Sequence, residues 1–372
     1  MTSDPAGGTT ASREAASEPN GLRLEPLRRW LAENVTGARR DLELHATMLT
    51  GGLSNVTYLL QQGEASWVLR RPPLGHVMTS AHDMGREHRV LSGLARVDFP
   101  APRPRGLCED ADVIGAPFML MDFVDGRIVG DQAAAATLTQ RDGDEISAAL
   151  VSTLSRLHDV DVVAAGLERL GRPEGYLARQ VRRWSSQWEV TQTRPVPEVD
   201  ELLGWLEARV SFLPHTAPWS LVHGDYRLDN LILGRTTCDV RAVLDWEMST
   251  LGDPVADLAV TLVYWSRPQD VLRHRVQGAP IVTDGPGFWE RDRVVERYAA
   301  ESGRDLGYLD VCIALACLKL AVIVESIRMR SLRGKQIGTD RSGMESLDTG
   351  AGTFATLGLE VAHGGGVAAL SR

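Results

Sequence analysis

Two short apolar runs in the middle of the chain constrain its fold most strongly. Residues 231–233 are Leu-Ile-Leu, residues 242–244 are Ala-Val-Leu, and a polar stretch that begins with Gly234 separates them. Apolar runs of strand length on both sides of a Gly-containing loop predict an antiparallel hairpin. The pairing of the two strands brings together the polar residues at their outer ends.

The register of this hairpin predicts a metal site. If the loop is centred on its midpoint, Leu231 faces Leu244 and Asn230 faces Asp245, so a carboxamide and a carboxylate emerge side by side. Hard oxygen ligands of this kind suit Mg²⁺, which takes one or two carboxylates together with substrate phosphates. Asp225 lies on the loop that enters the hairpin, where it can accept a proton from a substrate hydroxyl. Kinase catalytic loops divide the work in this way, with one Asp as base and an Asn and a later Asp on the metal ions.

The residues around the hairpin resemble a known family. Residues 223–230 read HGDYRLDN and residues 244–247 read LDWE. This pair resembles the H-x-D-x-x-x-x-N and D-x-[DE] motifs of aminoglycoside phosphotransferase-like kinases, the relatives of choline kinase that share the protein-kinase fold. The closer resemblance is to the kinase-like domain of acyl-CoA dehydrogenase family members 10 and 11 and its free-standing bacterial counterparts. Three further segments carry that closer resemblance, namely VLRRPP at 68–73, SAHDMGREHRV at 80–90 and STLGDPVADLA at 249–259.

The resemblance implies an α+β, protein-kinase-like bilobal fold, with a small antiparallel-sheet N-lobe and a larger, mostly helical C-lobe. It implies ATP and Mg²⁺ as cofactors, with Asn230 and Asp245 as the metal ligands. Two residues are implied to be catalytic: Asp225 as the base and Arg227 as the cation that offsets charge on the transferred phosphoryl group.

Two residues are expected to support the catalytic loop. His223 is expected to pack against the loop and bond its backbone rather than to carry protons. Asp253 and Pro254 read as the N-cap and the first turn of a helix. Asp257, in that helix, resembles the buried Asp that bonds the catalytic-loop backbone in the family.

The resemblance also implies nucleotide contacts upstream of the hairpin. Gly52, Ser54 and Asn55 lie in a loop between two expected strands, where glycine lets the backbone approach phosphates and the other two add donors. An ordinary hairpin turn is the alternative for this loop. Asp122 and Val124 are implied to bond the adenine edge through their main chains.

The next strand and helix carry the remaining nucleotide contacts. Alternation along a strand puts Val68 and Arg70 on one face and turns Arg71 away. The resemblance implies that Val68 packs on the adenine and that Arg70 holds the phosphates in place of the usual lysine. Glu87, on the helix that follows, is the expected partner of Arg70. A solvated strand-end arginine and a surface salt bridge are the alternatives.

The remaining signals divide the chain into a flexible tail (1–22), an N-lobe (23–121) and a C-lobe (122–372). A Gly- and Ser-rich stretch over 333–352 is expected to be mobile. Periodicity predicts strands over 43–49, 57–60, 67–70 and 118–123, and helices over 24–35, 80–94, 146–158, 175–189, 199–212, 254–264, 289–302 and 308–329.

Composition excludes several classes of protein. The net charge of −9 argues against general nucleic-acid binding, which needs basic surface. The four cysteines form no C-x-x-C pair, which favours a reduced, cytoplasmic protein. The apolar run at 311–324 is too short for a membrane span and contains Lys319, so it predicts a buried core helix. The first 20 residues lack an apolar segment, so neither a secretory signal nor an anchor is expected.

These observations predict an ATP- and Mg-dependent phosphotransferase that acts on a hydroxyl of a small molecule. A hydroxyacyl-CoA or hydroxy acid is the favoured acceptor, and an aminoglycoside is the other. An acyl-CoA needs basic and apolar surface, and one predicted helix is a candidate for it, with an ordinary amphipathic helix as the alternative. The residues concerned are Arg179, Arg182, Arg183, Trp184 and Trp188. A non-catalytic nucleotide-binding pseudokinase and a protein Ser/Thr kinase are the alternatives. No activation loop or A-P-E segment follows Asp245, which disfavours the protein kinase.

Overall fold

The computed structural model describes residues 19–49, 55–73, 83–213, 219–276, 281–333 and 341–371. The chain divides into two compact units. Unit 1 takes Met1–Met84 with Pro104–Phe123, and unit 2 takes Gly85–Arg103 with Val124–Arg372. The helix that carries Glu87 thus groups with unit 2, whereas the sequence analysis placed it in the N-lobe. The expected domain boundary at residue 122 stays a prediction.

Unit 1 contains a five-stranded antiparallel sheet with strand order β1-β2-β3-β5-β4. The four strands predicted from the sequence are present, and β4 was missed because Pro104 and Gly106 read as turn residues. Gly106 is needed there, since a Cβ on it would lie 2.8 Å from the ring of Trp30. The strands are β1 (His45–Leu49), β2 (Val56–Gln62), β3 (Ala65–Arg71), β4 (Pro104–Cys108) and β5 (Phe118–Asp122).

Every helix predicted from periodicity is found, although α5 begins six residues before its expected start and residues 80–82 of the helix predicted over 80–94 lie outside the described residues. The helices are α1 (Leu24–Asn34), α2 (Met84–Arg96), α3 (Ala111–Ile114), α4 (Gln132–Ala135), α5 (Gln140–His158), α6 (Tyr176–Thr191), α7 (Pro197–Val210), α8 (Pro254–Tyr264), α9 (Arg291–Ser302), α10 (Leu309–Leu332) and α11 (Arg341–Glu360). None of the helices in the described ranges is long and apolar enough to cross a membrane.

The core of unit 1 lies between α1 and one face of its sheet. Leu27 and Leu31 are fully buried on α1, one helical turn apart. Trp67 and Leu69 are buried on the facing side of β3 because alternate strand residues share a face. Burial of each such side chain stabilises the fold by about 1.5–3 kcal/mol.

Part of the predicted flexible tail is packed onto this unit. Residues 1–18 of that prediction lie outside the described residues. Leu22 is 4% exposed, and the hydroxyl of Tyr58 donates to the carbonyl of Asn20. Arg71 is buried and its guanidinium donates to the carbonyls of Gly21 and Ile114. The segment before α1 is therefore fixed by polar side chains of the sheet.

Unit 2 is built around α10, which packs against α6, α7, α8 and α11. Its buried residues run from Leu309 to Glu325 on every side of the helix, so the predicted core helix is confirmed. Of the stretch over 333–352 that was predicted to be mobile, residues 334–340 lie outside the described residues. The prediction is wrong for residues 341–352, because they belong to α11. The glycines serve packing: a Cβ on Gly350 would lie 2.6 Å from Val324 of α10.

The amphipathic alternative for α6 also holds. Trp184 and Trp188 are 7% and 3% exposed, so their rings belong to the core, while Arg182 and Arg183 are exposed. The expected basic and apolar surface for an acyl-CoA is therefore absent from this helix.

Candidate active site

The predicted hairpin is present, but its register differs from the prediction by one residue. Strand β6 (Ser220–Val222) precedes the hairpin. The hairpin strands β7 (Leu231–Leu233) and β8 (Val240–Val243) pair antiparallel, and Leu231 faces Val243 rather than Leu244. The register shifts at an irregularity between Ile232 and Leu233, which adds one residue to β8. The pair next to the loop, Leu233 with Val240, departs from the prediction by two residues, so the turn is centred one residue earlier than the middle of the loop and the extra residue in β8 offsets part of the difference.

The shift changes how the two expected metal ligands are placed. The amide of Leu244, not Asp245, pairs with Asn230, donating to its carbonyl at 2.8 Å. Asp245 then leaves the strand in the left-handed region, with φ 66° and ψ 65°. Few residue types other than Gly, Asn and Asp accept this conformation readily. The backbone turn, and not strand pairing, therefore sets the position of the Asp245 carboxylate.

Asp225 and Asn230 are brought together as predicted. The side-chain nitrogen of Asn230 donates to the carbonyl of Asp225 at 2.9 Å and lies 3.4 Å from its carboxylate. Because the side-chain nitrogen is used in this way, the side-chain oxygen Oδ1 of Asn230 is the atom available to a metal ion. Asn230 is 8% exposed, so its side chain is held by its surroundings.

Two cations from different elements flank the Asp225 carboxylate. Arg227 Nε lies 3.2 Å from Oδ2, and Lys319 Nζ of α10 lies 3.7 Å from Oδ1. The hydroxyl of Tyr264 also favours the charged form of this carboxylate. Burial opposes ionisation of Asp225, but these neighbours outweigh it, led by Lys319 and then Arg227, and lower its pKa. Asp225 is therefore ionised at neutral pH, as a proton acceptor must be.

Arg227 bridges the two carboxylates of the catalytic loop. Its Nη1 lies 3.2 Å from Asp229, and its guanidinium stacks 4.8 Å from the centroid of the Tyr264 ring. Burial works against the charge of Arg227, yet Asp225 and Tyr264 together raise its pKa. Burial raises the pKa of Asp229 even with Arg227 beside it. Arg227 is thus a permanent cation next to the predicted base.

Asp257 supports the loop as the resemblance implied. It lies in the first turn of α8, which Asp253 caps by accepting from the amide of Val255. The carboxylate of Asp257 accepts from the backbone amides of His223 at 2.6 Å and Gly224 at 2.7 Å. Gly224 has φ 84°, a conformation that favours glycine. The carboxylate therefore fixes the backbone immediately before Asp225.

His223 is structural, as expected. The amide of Asp225 donates to its Nδ1 at 3.2 Å, so the ring proton sits on Nε2, which donates to the carbonyl of Leu244 at 2.8 Å. The ring is fully buried, 4.8 Å from the ring of Trp246. His223 thus ties the catalytic loop to the end of β8.

Lys319 is the site residue that the sequence analysis missed. Its side chain is 6% exposed, and its ammonium donates to the carbonyl of Gly224 as well as facing Asp225. Burial lowers the pKa of Lys319, and Asp225 opposes that effect. A lone lysine inside an otherwise apolar helical run was the available signal, because a buried ammonium needs a partner.

Some of the predicted nucleotide contacts in unit 1 lie in the described part of the chain and others do not. Gly52 and Ser54 lie outside the described residues, and Asn55 is buried beside β2. Val68 and Arg70 share the half-buried face of β3, as alternation predicted. Their roles toward a nucleotide stay predictions.

The other predicted contacts are divided between the units. Asp122 ends β5 in unit 1, where its carboxylate pairs with Arg105 at 2.7 Å. Val124 and Glu87 belong to unit 2, and Glu87 is 1% exposed on α2. The expected pairing of Glu87 with Arg70 stays a prediction.

The donor set fits Mg²⁺ better than a metal held by protein alone. Across the described ranges, no group of three or more His, Cys, Asp or Glu side chains forms a metal site. One carboxylate from Asp245 and one carbonyl oxygen from Asn230 match the few protein ligands that Mg²⁺ takes beside phosphates and water.

Comparison with known sequences agrees with the family resemblance of the motifs. The sequence profile of the APH phosphotransferase enzyme family matches residues 45–307. Acyl-CoA dehydrogenase family member 11 of Rattus norvegicus is 33% identical over 323 residues, which cover 85% of this chain and 41% of the relative. The chain thus spans less than half the length of that relative.

Solved structures confirm the protein-kinase-like fold. A protein of Ralstonia eutropha JMP134, provisionally described as an aminoglycoside phosphotransferase, matches with a TM-score of 0.75 and 30% identity, over 92% of this chain and 98% of its own. A thermostable mutant of the aminoglycoside phosphotransferase APH(4)-Ia, in ternary complex with AMP-PNP and hygromycin B, matches with a TM-score of 0.59. It is 15% identical over 91% of this chain and 98% of its own, so the second likeness shows the fold alone.

Proposed function

Because this chain belongs to the APH phosphotransferase enzyme family, we propose that it transfers the γ-phosphoryl group of ATP to a hydroxyl of a small molecule. The setting of Asp225 carries this proposal. Its carboxylate is ionised, faces the cations of Lys319 and Arg227, and lies beside the Asn230 amide. A proton acceptor with a neighbouring permanent cation and oxygen ligands is the equipment that phosphoryl transfer needs.

Each loop residue has a part in the reaction. The acceptor oxygen forms a bond to the γ-phosphorus while the bond from that phosphorus to the bridging oxygen breaks, and ADP leaves. The hydroxyl proton passes to Asp225. Arg227 offsets the charge on the transferred oxygens, since a fixed cation in a site of low polarity stabilises the transition state. Positioning by the loop supplies much of the remaining acceleration.

Mg²⁺ would be held by Asn230 and Asp245, where it would neutralise charge on the phosphate oxygens. The nucleotide contacts are proposed from the sequence: Gly52, Ser54, Asn55, Val68 and Arg70, the main chains of Asp122 and Val124, and Glu87 as the partner of Arg70. The AMP-PNP complex of APH(4)-Ia supports an ATP-like donor here.

The acceptor is proposed to be a hydroxy acid or a hydroxyacyl-CoA. Lys319 and Arg227 flank the base, and Arg183 is close enough to act on the charge of Lys319. Because Lys319 and Arg227 already pair with the carboxylates of Asp225 and Asp229, it is the additional charge of Arg183 that suits an anionic acceptor better than a polycation such as an aminoglycoside. The name of the acyl-CoA dehydrogenase relative points the same way. We further propose a cytoplasmic location, in keeping with four free, buried cysteines.

An acceptor screen tests the function. ADP formation from MgATP is measured with hydroxy acids, their CoA thioesters and aminoglycosides, and with Asp225→Ala as the control. We expect stimulation by the anionic acceptors and loss of turnover in Asp225→Ala. Turnover that survives in Asp225→Ala refutes the mechanism. Nucleotide binding without turnover on any acceptor favours the pseudokinase.

A further inference from the structure

Lysine is scarce in this chain. It has 40 Lys and Arg residues, and Lys319 and Lys335 are its two lysines. One of them occupies a buried position on α10, in contact with the catalytic loop. In a chain that otherwise uses arginine for positive charge, a lysine at this position indicates a requirement that arginine does not meet.

The geometry shows what that requirement is. The ammonium of Lys319 bonds the Gly224 carbonyl and faces Oδ1 of Asp225 at 3.7 Å, while Arg227 faces Oδ2. A compact ammonium with three donors reaches two oxygens in a confined space, whereas a guanidinium needs a planar fork of partners. Lys319 therefore contacts the backbone of the residue immediately before the base and the side chain of the base itself.

A purely structural role does not account for this residue. Taking an ammonium out of water costs free energy that its partners only partly return, and an apolar side chain of similar volume is often as stable or more stable. One helical turn away on the same face of α10, Leu315, Ala316 and Val322 are all buried. An apolar residue would suit the helix, so the reason for the lysine lies at Asp225.

We infer that Lys319 is a positioning residue for phosphoryl transfer, which fixes the catalytic loop at Gly224 and holds the Asp225 carboxylate in its working orientation. This inference rests on the proposed function. It adds a residue from α10, roughly 90 positions after the motif, to the machinery that the loop and hairpin supply.

Steady-state kinetics test the role with water as the acceptor, so that no substrate needs to be known. ADP formation from MgATP is measured for the wild type, Lys319→Met, Asp225→Ala and the matched control Lys335→Met. We expect Lys319→Met to lower kcat by about 10²-fold, as a misplaced catalytic group does. The KM for ATP is expected to stay within about twofold because Lys319 acts through Asp225, and Lys335→Met is expected to match the wild type.

The outcomes separate this inference from the proposed function. Loss of turnover in Asp225→Ala with full kcat in Lys319→Met overturns the positioning role alone. Turnover that survives in Asp225→Ala overturns the proposed function and the positioning role with it. A rise in the KM for ATP at unchanged kcat also overturns the positioning role.

A second measurement keeps the inference testable if Lys319→Met does not fold. In Lys335→Arg protein, Lys319 is the single lysine, so lysine labelled with ¹³C at Cε gives one side-chain signal by NMR. Asp225→Asn in that background removes the charge that faces the ammonium and is expected to shift the signal. A signal that Asp225→Asn leaves unmoved overturns the contact, and with it the inference.

Discussion

Replacement of Asp257 by alanine tests whether one buried carboxylate holds the catalytic loop. Asp257 is 2% exposed, and its oxygens accept from two backbone amides at 2.6 and 2.7 Å. A hydrogen bond to a charged group contributes about 1.5–3 kcal/mol. Removing two at once leaves two amides without acceptors, so we expect the free energy of unfolding to fall by about 3–6 kcal/mol.

Asp253 provides a matched control on the same helix. Its carboxylate caps α8 and accepts from the hydroxyl of Tyr308 at 3.1 Å, but it does not bond the catalytic loop. Loss of an N-cap costs about 0.5–2 kcal/mol. Urea unfolding followed by tryptophan fluorescence gives both values, and ADP formation from MgATP gives activity. We expect Asp257→Ala to lose activity as well as stability, and Asp253→Ala to keep its activity when folded.

The same carboxylate makes stability depend on pH. Burial opposes ionisation of Asp257, but bonds from His158 and the backbone of His223 outweigh it and lower its pKa. The unfolded-state pKa of Asp is about 3.9, so the stabilisation is complete above that value and is lost as pH falls through the lower, folded-state pKa. The difference in unfolding free energy between wild type and Asp257→Ala is therefore expected to be constant near neutral pH and to shrink below about pH 4.

A loss under about 1 kcal/mol in Asp257→Ala would refute this account, because the two amides would then have found other acceptors. So would a stability difference that grows as pH falls, since that requires a raised pKa.

Two further predictions concern packing and charge. Gly350→Ala is expected to destabilise by about 1–3 kcal/mol through contact with α10, whereas Gly352→Ala, whose Cβ would be 3.7 Å from its nearest neighbour, should stabilise by about 0.5–1 kcal/mol. Urea midpoints that move in the same direction contradict the first prediction. Arg227→Met is expected to lower kcat by about 10³-fold or more, while Arg235→Met, on an exposed pair with Asp125, should leave it unchanged. Equal activity of those two variants contradicts the second.

Local patterns in the sequence predicted much of the site. The hairpin follows from its two apolar runs, and the start of α8 follows from Asp253 and Pro254, because both features depend on neighbouring residues. The register was wrong because the turn is centred one residue earlier than the middle of the loop, and one extra residue in β8 offsets only part of that difference. Period and turn chemistry do not reveal where a strand accommodates such a residue.

Features that depend on distant packing were less accessible. The glycines of α11 resembled a mobile linker, yet Gly350 permits close approach of α10, which only the tertiary structure reveals. Lys319 was interpreted as evidence against a membrane span, although its partner lies at Asp225. An ion pair between residues so far apart in sequence has no local pattern.

Residue 245 must meet two separate requirements: it must adopt a left-handed backbone conformation, and it must supply a carboxylate oxygen. Glycine meets the backbone demand and brings no oxygen, whereas glutamate brings oxygens to a backbone that resists it. A saturation library at this position, scored once for folded abundance and once for turnover, should therefore rank the twenty residues differently. Glycine and asparagine should rank high for abundance, and aspartate should lead for turnover. The gap between the two rankings would measure the chemistry of the position separately from its folding.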